Sequence, residues 1–150
     1  MGWPPGDISP VSEREPWVDL ITTDDILDLH AEGIRRYGGD GSPPKEGCVE
    51  GCLGAAWHLQ VYRSPEDAWP CLSFCAGLLY YLTMNHCFID GNKRIGWMSA
   101  MEVLRSLGLT VKANEEEAVQ FCLDITSSSV KCATDVIPWL AQRLEEFPVV

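Results

Sequence analysis

The feature that most constrains the fold is an apolar stretch in the middle of the chain. The run CAGLLYYLTM, residues 75–84, contains no charged side chain, and its apolar residues fall on every face of a helix. A helix that is hydrophobic all round is buried by its neighbours. The run is shorter than the roughly 18 apolar residues that a membrane-spanning helix needs. We therefore expect a central helix of a globular domain, with other helices packed around it.

A second central helix is predicted a few residues further along the chain. The segment KRIGWMSAMEVLRSLG, residues 93–108, carries apolar side chains at helical spacing and ends in Gly108, a residue that favours a helix stop. The spaced apolar residues are Ile95, Met98, Met101, Leu104 and Leu107. The polar connection NHCFIDGN, residues 85–92, is therefore expected to join two helices of the core.

Further helices are predicted from the residues that cap their starts. The first helix follows Thr22 or Thr23 as its cap, has aspartates in its first turn, and ends at Gly38–Gly39. Asn114 precedes three glutamates, a pattern typical of a helix start. Thr134 is the predicted cap of a last helix that closes the chain.

Three shorter predictions fill the remaining segments. A helix is expected over about residues 48–60. Ser64, followed by Pro65 and Asp67, has the form of a capping box and predicts the start of the first central helix. The segment LTVKA, residues 109–113, is expected to be a short extended piece.

The predicted architecture is an all-α bundle. A chain of 150 residues is most often one domain. Residues 1–20 contain four of the ten prolines and have no helical period, so they are expected to form an extended N-terminal arm. Residues 21–150 are expected to form the domain.

The net charge of −11 limits the classes of partner. A field of that sign repels nucleic-acid backbones, so we expect no DNA or RNA partner. No segment is apolar enough for a membrane partner, and the N-terminus lacks the order of a secretion signal, so a cytoplasmic location is expected. A phosphate ligand has to be held by a local group of cations, and Lys93 with Arg94 is such a group.

The chain has seven cysteines, an odd count that fits reduced thiols in the cytoplasm better than a disulfide framework. Cys48 with Cys52, and Cys71 with Cys75, are spaced to share a helix face. Structural zinc usually requires a tighter spacing, so a cysteine-based metal module is kept as an alternative only. The preferred interpretation is that these are core residues, because unpaired cysteine is among the most buried residue types.

The start of the second central helix has the chemistry of a phosphate site. Helix N-termini carry unpaired N–H groups and a positive dipole end, both of which suit phosphate oxygens. Gly91 allows a close backbone approach, and Asn92 can cap the helix or offer its amide to a phosphate. Lys93 and Arg94 add positive charge and directed donors.

The same connection contains a candidate base and a candidate metal ligand. His86 carries an imidazole, the side chain that most often accepts a hydroxyl proton in enzymes. Asp90 is a natural Mg²⁺ ligand, because Mg²⁺ takes one or two carboxylates and shares phosphate oxygens. Singly, each of these residues is better explained as a cap, a turn or a solvated surface residue. Together, between two apolar helices of an acidic chain, they favour a phosphate site.

The segment HCFIDGNKR, residues 86–94, resembles the motif of the Fic/Doc superfamily, His-x-Phe-x-Asp/Glu-Gly-Asn-x-Arg. The lysine after the asparagine is similar to the Doc, or death-on-curing, branch. ITTDDILDLHAEGIRRYGG, residues 21–39, resembles the opening Doc helix, and LRSLGLTV, residues 104–111, resembles the segment that follows the motif helix. The resemblance covers about residues 20–147.

The resemblance implies a helical bundle in which an active-site loop joins two central helices. It implies that His86 is the base, that Asp90 holds Mg²⁺, and that Phe88 anchors the loop in the core. It also implies that the phosphates of ATP are bound by Asn92, Lys93 and Arg94. Cys87 occupies a position that is often proline in relatives.

The resemblance further implies an activity and two protein partners. Doc toxins transfer a phosphate from ATP to a threonine of elongation factor Tu and stop translation, and an antitoxin restrains them with a C-terminal segment that folds on binding. Fic proteins transfer AMP instead, usually with glycine at the position of Lys93 and a second arginine at the position of Trp97. Both departures match Doc. AMP transfer and a catalytically inactive binding module are the alternatives.

Overall fold

The structure is a computed structural model that describes residues 15–63, 69 and 71–147. Most of the predicted N-terminal arm, residues 1–14, lies outside the described residues, so the arm stays a prediction. Residues 16–20 form turns, and Trp17 packs against the core. Within the described ranges, none of the helices has the length and apolarity that crossing a membrane requires.

Within the described residues, the structure contains six α-helices and one small sheet, so the predicted helical bundle is confirmed, with a two-stranded sheet added to it. The helices are α1 Thr23–Tyr37, α2 Cys48–Arg63, α3 Leu72–Met84, α4 Asn92–Ser106, α5 Glu115–Thr126 and α6 Val136–Ala141. The strands are β1 Leu109–Val111 and β2 Leu144–Glu146, and a 3-10 turn, Ala133–Asp135, precedes α6.

The starts of α1 and α5 follow their predicted caps. The Thr22 hydroxyl accepts the Asp25 N–H at 3.0 Å, and the Asp25 carboxylate accepts the Thr22 N–H at 2.9 Å. Asn114 and Glu117 exchange the same pair of bonds at the start of α5. Each of these reciprocal pairs of bonds is a capping box, and it satisfies two backbone donors that a helix start leaves unpaired.

The start of α3 differs from the prediction at Ser64. Residues 64–68 and 70, which include the predicted capping box, lie outside the described residues, and α3 begins at Leu72. Trp69 lies in a bend rather than a helix, as expected for a residue that precedes a proline. Cys71 then has a left-handed backbone, with φ of 55°. The helix before it, α2, is longer than predicted and runs to Arg63.

The prediction of one last helix from Thr134 is wrong. The segment contains the 3-10 turn, the six-residue α6, and β2, which pairs antiparallel with β1 so that Leu109 faces Glu146. The Phe147 N–H also donates to the Gly108 carbonyl at 2.7 Å. Backbone pairing with a strand far away in sequence decides this end of the chain, and the local helical pattern does not reveal it.

Helix α3 is central, and two glycines bring its neighbours into backbone contact. A Cβ on Gly77 would lie 2.7 Å from the Cα of Ala56 on α2. A Cβ on Gly96 of α4 would overlap the Thr83 hydroxyl and lie 3.0 Å from the Leu79 carbonyl oxygen, both on α3. Real Cβ atoms do not approach other atoms this closely, so α2 and α4 pack on α3 with almost no side chain between them. The end of α3 and the start of α4 are thereby held side by side.

We expect Gly77→Ala to lower the free energy of unfolding by about 1–3 kcal/mol, because the added methyl group forces α2 away from α3. Gly51→Ala is the matched control: it lies on α2 and a Cβ there meets no atom within 4 Å. It should raise stability by about 0.5–1 kcal/mol, because alanine is the better helix former. Urea unfolding followed by circular dichroism measures both. Equal effects of the two substitutions would contradict the close contact.

Candidate active site

The connection between α3 and α4 turns through two left-handed residues. α3 ends at Met84, and the N–H of the next residue, Asn85, donates to the Tyr81 carbonyl at 2.9 Å. His86 has φ of 49° and Gly91 has φ of 83°, and α4 begins at the next residue, Asn92. Both predicted boundaries of the connection are confirmed. His86 is exposed, and none of the described residues forms a hydrogen bond with its imidazole.

Asn92 closes the loop with both polar atoms of its side chain. Its Oδ1 accepts the Phe88 N–H at 3.1 Å, and its Nδ2 donates to the Phe88 carbonyl at 2.9 Å. The amide is buried and occupied, so it does not cap α4. Within the described part of the chain, no side chain caps the start of this helix.

His30 on α1 supports the loop, and the sequence analysis did not select it. The imidazole is 6% exposed and stacks on the buried ring of Phe88, with centroids 3.7 Å apart. Its Nε2 lies 2.8 Å from the Asp90 carbonyl oxygen. Because a carbonyl only accepts, Nε2 must carry the proton. The implied anchoring role of Phe88 fits this packing, and its partner is a histidine 58 positions earlier in the numbering.

Gly91 is favoured by its positive φ, and its backbone lies close to the side chains of Arg94 and His30. A Cβ there would lie 3.3 Å from a terminal nitrogen of Arg94 and 3.5 Å from His30 Nε2. The position therefore brings α1 and α4 close to the backbone of the loop. A residue with a side chain would be strained by the left-handed backbone and would contact the imidazole that holds Asp90.

The Asp90 carboxylate is exposed and only partly occupied. Its Oδ2 accepts the Asp40 N–H at 2.8 Å, which ties the segment after α1 to the loop. Among the described residues, Oδ1 has no hydrogen-bond partner. One oxygen thus orients the carboxylate, and the other is available to a cation.

The two predicted phosphate-binding cations leave α4 in different directions. Arg94 donates to the Gly38 carbonyl at 3.2 Å, and its guanidinium lies 5.2 Å from the centroid of the Tyr37 ring. Lys93 is exposed and faces α5. Burial raises the pKa of the Cys122 thiol on α5 to about 11, and the nearby Lys93 ammonium offsets part of that rise. Arg94 and Lys93 therefore lie on either side of the helix start rather than in one cluster.

The prediction that all seven cysteines are reduced is wrong for Cys48 and Cys87. Cys48, the first residue of α2, forms a disulfide with Cys87, the residue after His86, across a Cα–Cα distance of 5.4 Å. Local spacing singled out Cys48 with Cys52, because a contact between segments 39 residues apart leaves no periodic pattern. The core interpretation is confirmed for Cys52, Cys75 and Cys122, which are buried, and is wrong for Cys132, which is exposed. A metal held by Cys48 is not supported while its sulfur is bonded to Cys87.

Trp97 lies on the second turn of α4 and faces the C-terminal helix. Its ring meets Trp139 of α6 edge-on at 6.1 Å, and Trp139 stacks on Phe121 at 4.1 Å. The side chain is therefore committed to the packing of α6 and α5 against α4.

Comparison with protein families identifies this helix–loop–helix. A family model described as the Fic/DOC family matches residues 20–104, which contain α1, α2, α3, the loop and most of α4. The match covers more than half of the chain. The chain belongs to the Fic/DOC family. Enzymes of this family generally transfer AMP or phosphate groups. No curated protein is similar enough in sequence to count as a match.

The part of this Fic/DOC protein after residue 104 lies outside the family match. It includes the paired strands, α5 and α6. The wider resemblance, to residue 147, therefore stays a prediction.

His30 should act as a positioning residue for the loop. His30→Phe keeps a ring against Phe88 and removes the donor to Asp90, so it should lower stability by about 1 kcal/mol and speed amide exchange in residues 86–91. His30→Gln places an amide N–H near the position of Nε2 and should restore slow exchange. Hydrogen exchange followed by mass spectrometry measures this. Wild-type exchange in His30→Phe would mean that the bond to Asp90 does not hold the loop.

Proposed function

We propose that this protein is a Doc-type phosphotransferase, which moves the γ-phosphate of ATP to a protein hydroxyl. We further propose that the target is a threonine of elongation factor Tu, so that the enzyme inhibits translation. The observation that carries the proposal is the start of α4, which no described side chain caps and which Asp90 and Arg94 flank.

The start of α4 suits the phosphate groups of ATP. α1 and α5 satisfy their first N–H groups with capping boxes, whereas the amide of Asn92 is turned back to Phe88. The first-turn N–H groups of α4 and the positive end of the helix dipole are therefore available to phosphate oxygens. Arg94 on one side and Lys93 on the other add the positive charge that an acidic chain otherwise lacks.

The donor set beside α4 fits Mg²⁺. Asp90 offers one carboxylate oxygen without a protein partner, and Mg²⁺ is commonly held by one or two carboxylates together with phosphate oxygens and water. Bound there, the ion would neutralise charge on the phosphates. The Asp40 N–H and His30 fix the carboxylate and the backbone of Asp90, so the ligand is oriented in advance.

His86 is the proposed general base. Its imidazole takes the proton of the target hydroxyl, the hydroxyl oxygen forms a bond to the γ-phosphorus, and the bond from that phosphorus to the bridging oxygen breaks. The products are a phosphoester and ADP. Because His86 is exposed at the surface, a hydroxyl on a folded protein can approach it.

The second candidate is AMP transfer, in which the attack falls on the α-phosphorus and pyrophosphate leaves. The family match is compatible with either reaction. Position 97 favours phosphate transfer: the AMP-transferring branch usually has a second arginine there, whereas Trp97 packs on Trp139. Lys93 also favours phosphate transfer, because the AMP-transferring branch usually has glycine at this position. The presence of His86, Asp90 and Arg94 disfavours an inactive binding module.

We propose that the enzyme acts in the cytoplasm and that a separate antitoxin regulates it. Two large apolar side chains near the site are exposed, Ile89 at 66% and Tyr37 at 63%. A segment that folds on binding gains affinity by burying such side chains. The C-terminal segment of an antitoxin is the kind of partner that the resemblance suggests.

We expect γ-labelled ATP, and not α-labelled ATP, to label elongation factor Tu in a bacterial lysate and in purified form. His86→Ala should reduce labelling by about 10²–10⁴-fold, because proton removal by the base is lost. His58→Ala is the matched control, since His58 is an exposed histidine on α2. α-Label on the target would assign the protein to the AMP-transferring branch.

Asp90→Asn should abolish transfer and weaken ATP binding chiefly in the presence of Mg²⁺, because the amide keeps the acceptor for the Asp40 N–H but loses the charge that holds the ion. Arg94, Lys93 and the helix start should leave a residual affinity for ATP in chelator. Calorimetric titration of ATP, with Mg²⁺ and with chelator, measures both. Asp28→Asn, an exposed carboxylate of α1, is the control. Equal Mg²⁺ dependence in wild type and Asp90→Asn would remove Asp90 from the site.

A further inference from the structure

Three sulfur atoms lie directly beside the proposed base. Cys87 follows His86 and is bonded to Cys48, and the Sγ of Cys52 is 3.8 Å from that of Cys87. All three Sγ atoms lie within 4.8 Å of one another. The amide of Asn85, the residue before His86, donates to the Cys52 sulfur at 3.3 Å. Both neighbours of His86 are therefore in contact with the sulfur cluster.

We propose that Cys48, Cys52 and Cys87 form a thiol–disulfide exchange site for an external dithiol, and that its state determines how firmly His86 is held. The exchange itself is independent of the reaction that the protein catalyses. Its consequence for phosphate transfer rests on the proposed function.

The backbone of His86 makes it sensitive to this bond. A φ of 49° is uncommon for a residue with a side chain, and such a conformation persists only where the neighbouring residues hold it. On one side, Asn85 closes α3. On the other, Cys87 is held by its bond to Cys48 and by the Lys45 N–H, which donates to the Cys87 carbonyl at 2.8 Å. Opening the disulfide removes the covalent part of this restraint.

Exposure determines which sulfur an external thiol attacks. Cys48 is half-buried, whereas Cys87 is 2% exposed and Cys52 is fully buried. The thiolate of an external dithiol attacks the Cys48 sulfur, the bond to Cys87 breaks, and Cys87 leaves as a thiolate that takes a proton from water. The second thiolate of the dithiol then attacks the dithiol sulfur that is bonded to Cys48. The bond to Cys48 breaks, and Cys48 leaves as a thiolate that takes a proton from water. The protein gains two electrons, and the dithiol becomes a disulfide.

Cys52 provides a second partner for Cys87. Attack by the Cys52 thiolate on the Cys87 sulfur releases Cys48 and forms a Cys52–Cys87 bond, with no net oxidation. Burial raises the pKa of the Cys52 thiol, and the hydrogen bond from Asn85 opposes that rise in part. The raised pKa lowers the thiolate fraction of Cys52 and so slows its attack on the Cys87 sulfur.

The test uses the full chain, purified without reductant, with dithiothreitol as the dithiol. Alkylation and peptide mapping should find Cys48 and Cys87 bonded before reduction and both alkylated after it. The imidazole NMR signal of His86 should shift on reduction, while the signal of His58, on the surface of α2, should not.

In Cys48→Ser, the His86 signal should have its reduced position without dithiothreitol, and glutathione disulfide should then join Cys52 to Cys87. Cys132→Ser, at an exposed cysteine, should behave as wild type.

Two results would overturn the proposal. An unmoved His86 signal, with Cys48 and Cys87 both alkylated, would make the disulfide a structural bond only. Stoichiometric zinc, retained by protein in which Cys48, Cys52 and Cys87 are protected from alkylation, would make the cluster a metal site instead.

If the proposed function also holds, reduction should slow γ-label transfer by roughly 10²-fold, the effect of a misplaced base. A shift of His86 with no transfer in either state would refute the proposed function and leave the exchange site standing.

Discussion

The backbone contact between α3 and α4 at Gly96 determines where the parts of the site lie. Any side chain at residue 96 would overlap α3, so the two helices approach each other with only hydrogen between them. The connection must therefore reverse the chain within a few residues. It does so through two left-handed positions, His86 and Gly91. As a result, an exposed imidazole and an exposed carboxylate are both carried by the short turn that leads into α4.

Helix α1 contributes to the site although it holds none of the residues of the motif. His30 bonds the carbonyl of Asp90, and Gly38, at the end of α1, accepts from Arg94. The Asp40 N–H, just beyond the helix, orients the Asp90 carboxylate. The proposed metal ligand and one proposed phosphate ligand are thus both fixed by α1. The family match, residues 20–104, includes α1 as well as the loop.

Local patterns were enough to predict the bundle, the capped starts of α1 and α5, and the helix–loop–helix with its polar residues. These features depend on residues close together in sequence, such as Thr22 with Asp25. The missed features depend on contacts between distant segments. β2 pairs with β1 from the far end of the domain, and Cys48 is bonded to Cys87 across 39 positions of sequence. His30 was missed because one histidine on a helix face is more often a core residue than part of a site.

The two halves of the loop are held by different kinds of interaction. From Phe88 to Gly91 the restraints are non-covalent: the Asn92 amide, the stacked His30 ring and the Asp40 N–H. At Cys87 a covalent bond to α2 adds to one backbone hydrogen bond. Reduction breaks the Cys48–Cys87 disulfide and leaves hydrogen bonds intact. A reducing partner therefore acts on the half of the loop that carries His86. Asp90, the proposed metal ligand, belongs to the other half, and the proposed phosphate ligands Lys93 and Arg94 lie beyond it on α4. ATP binding and proton removal can therefore respond separately to the redox state.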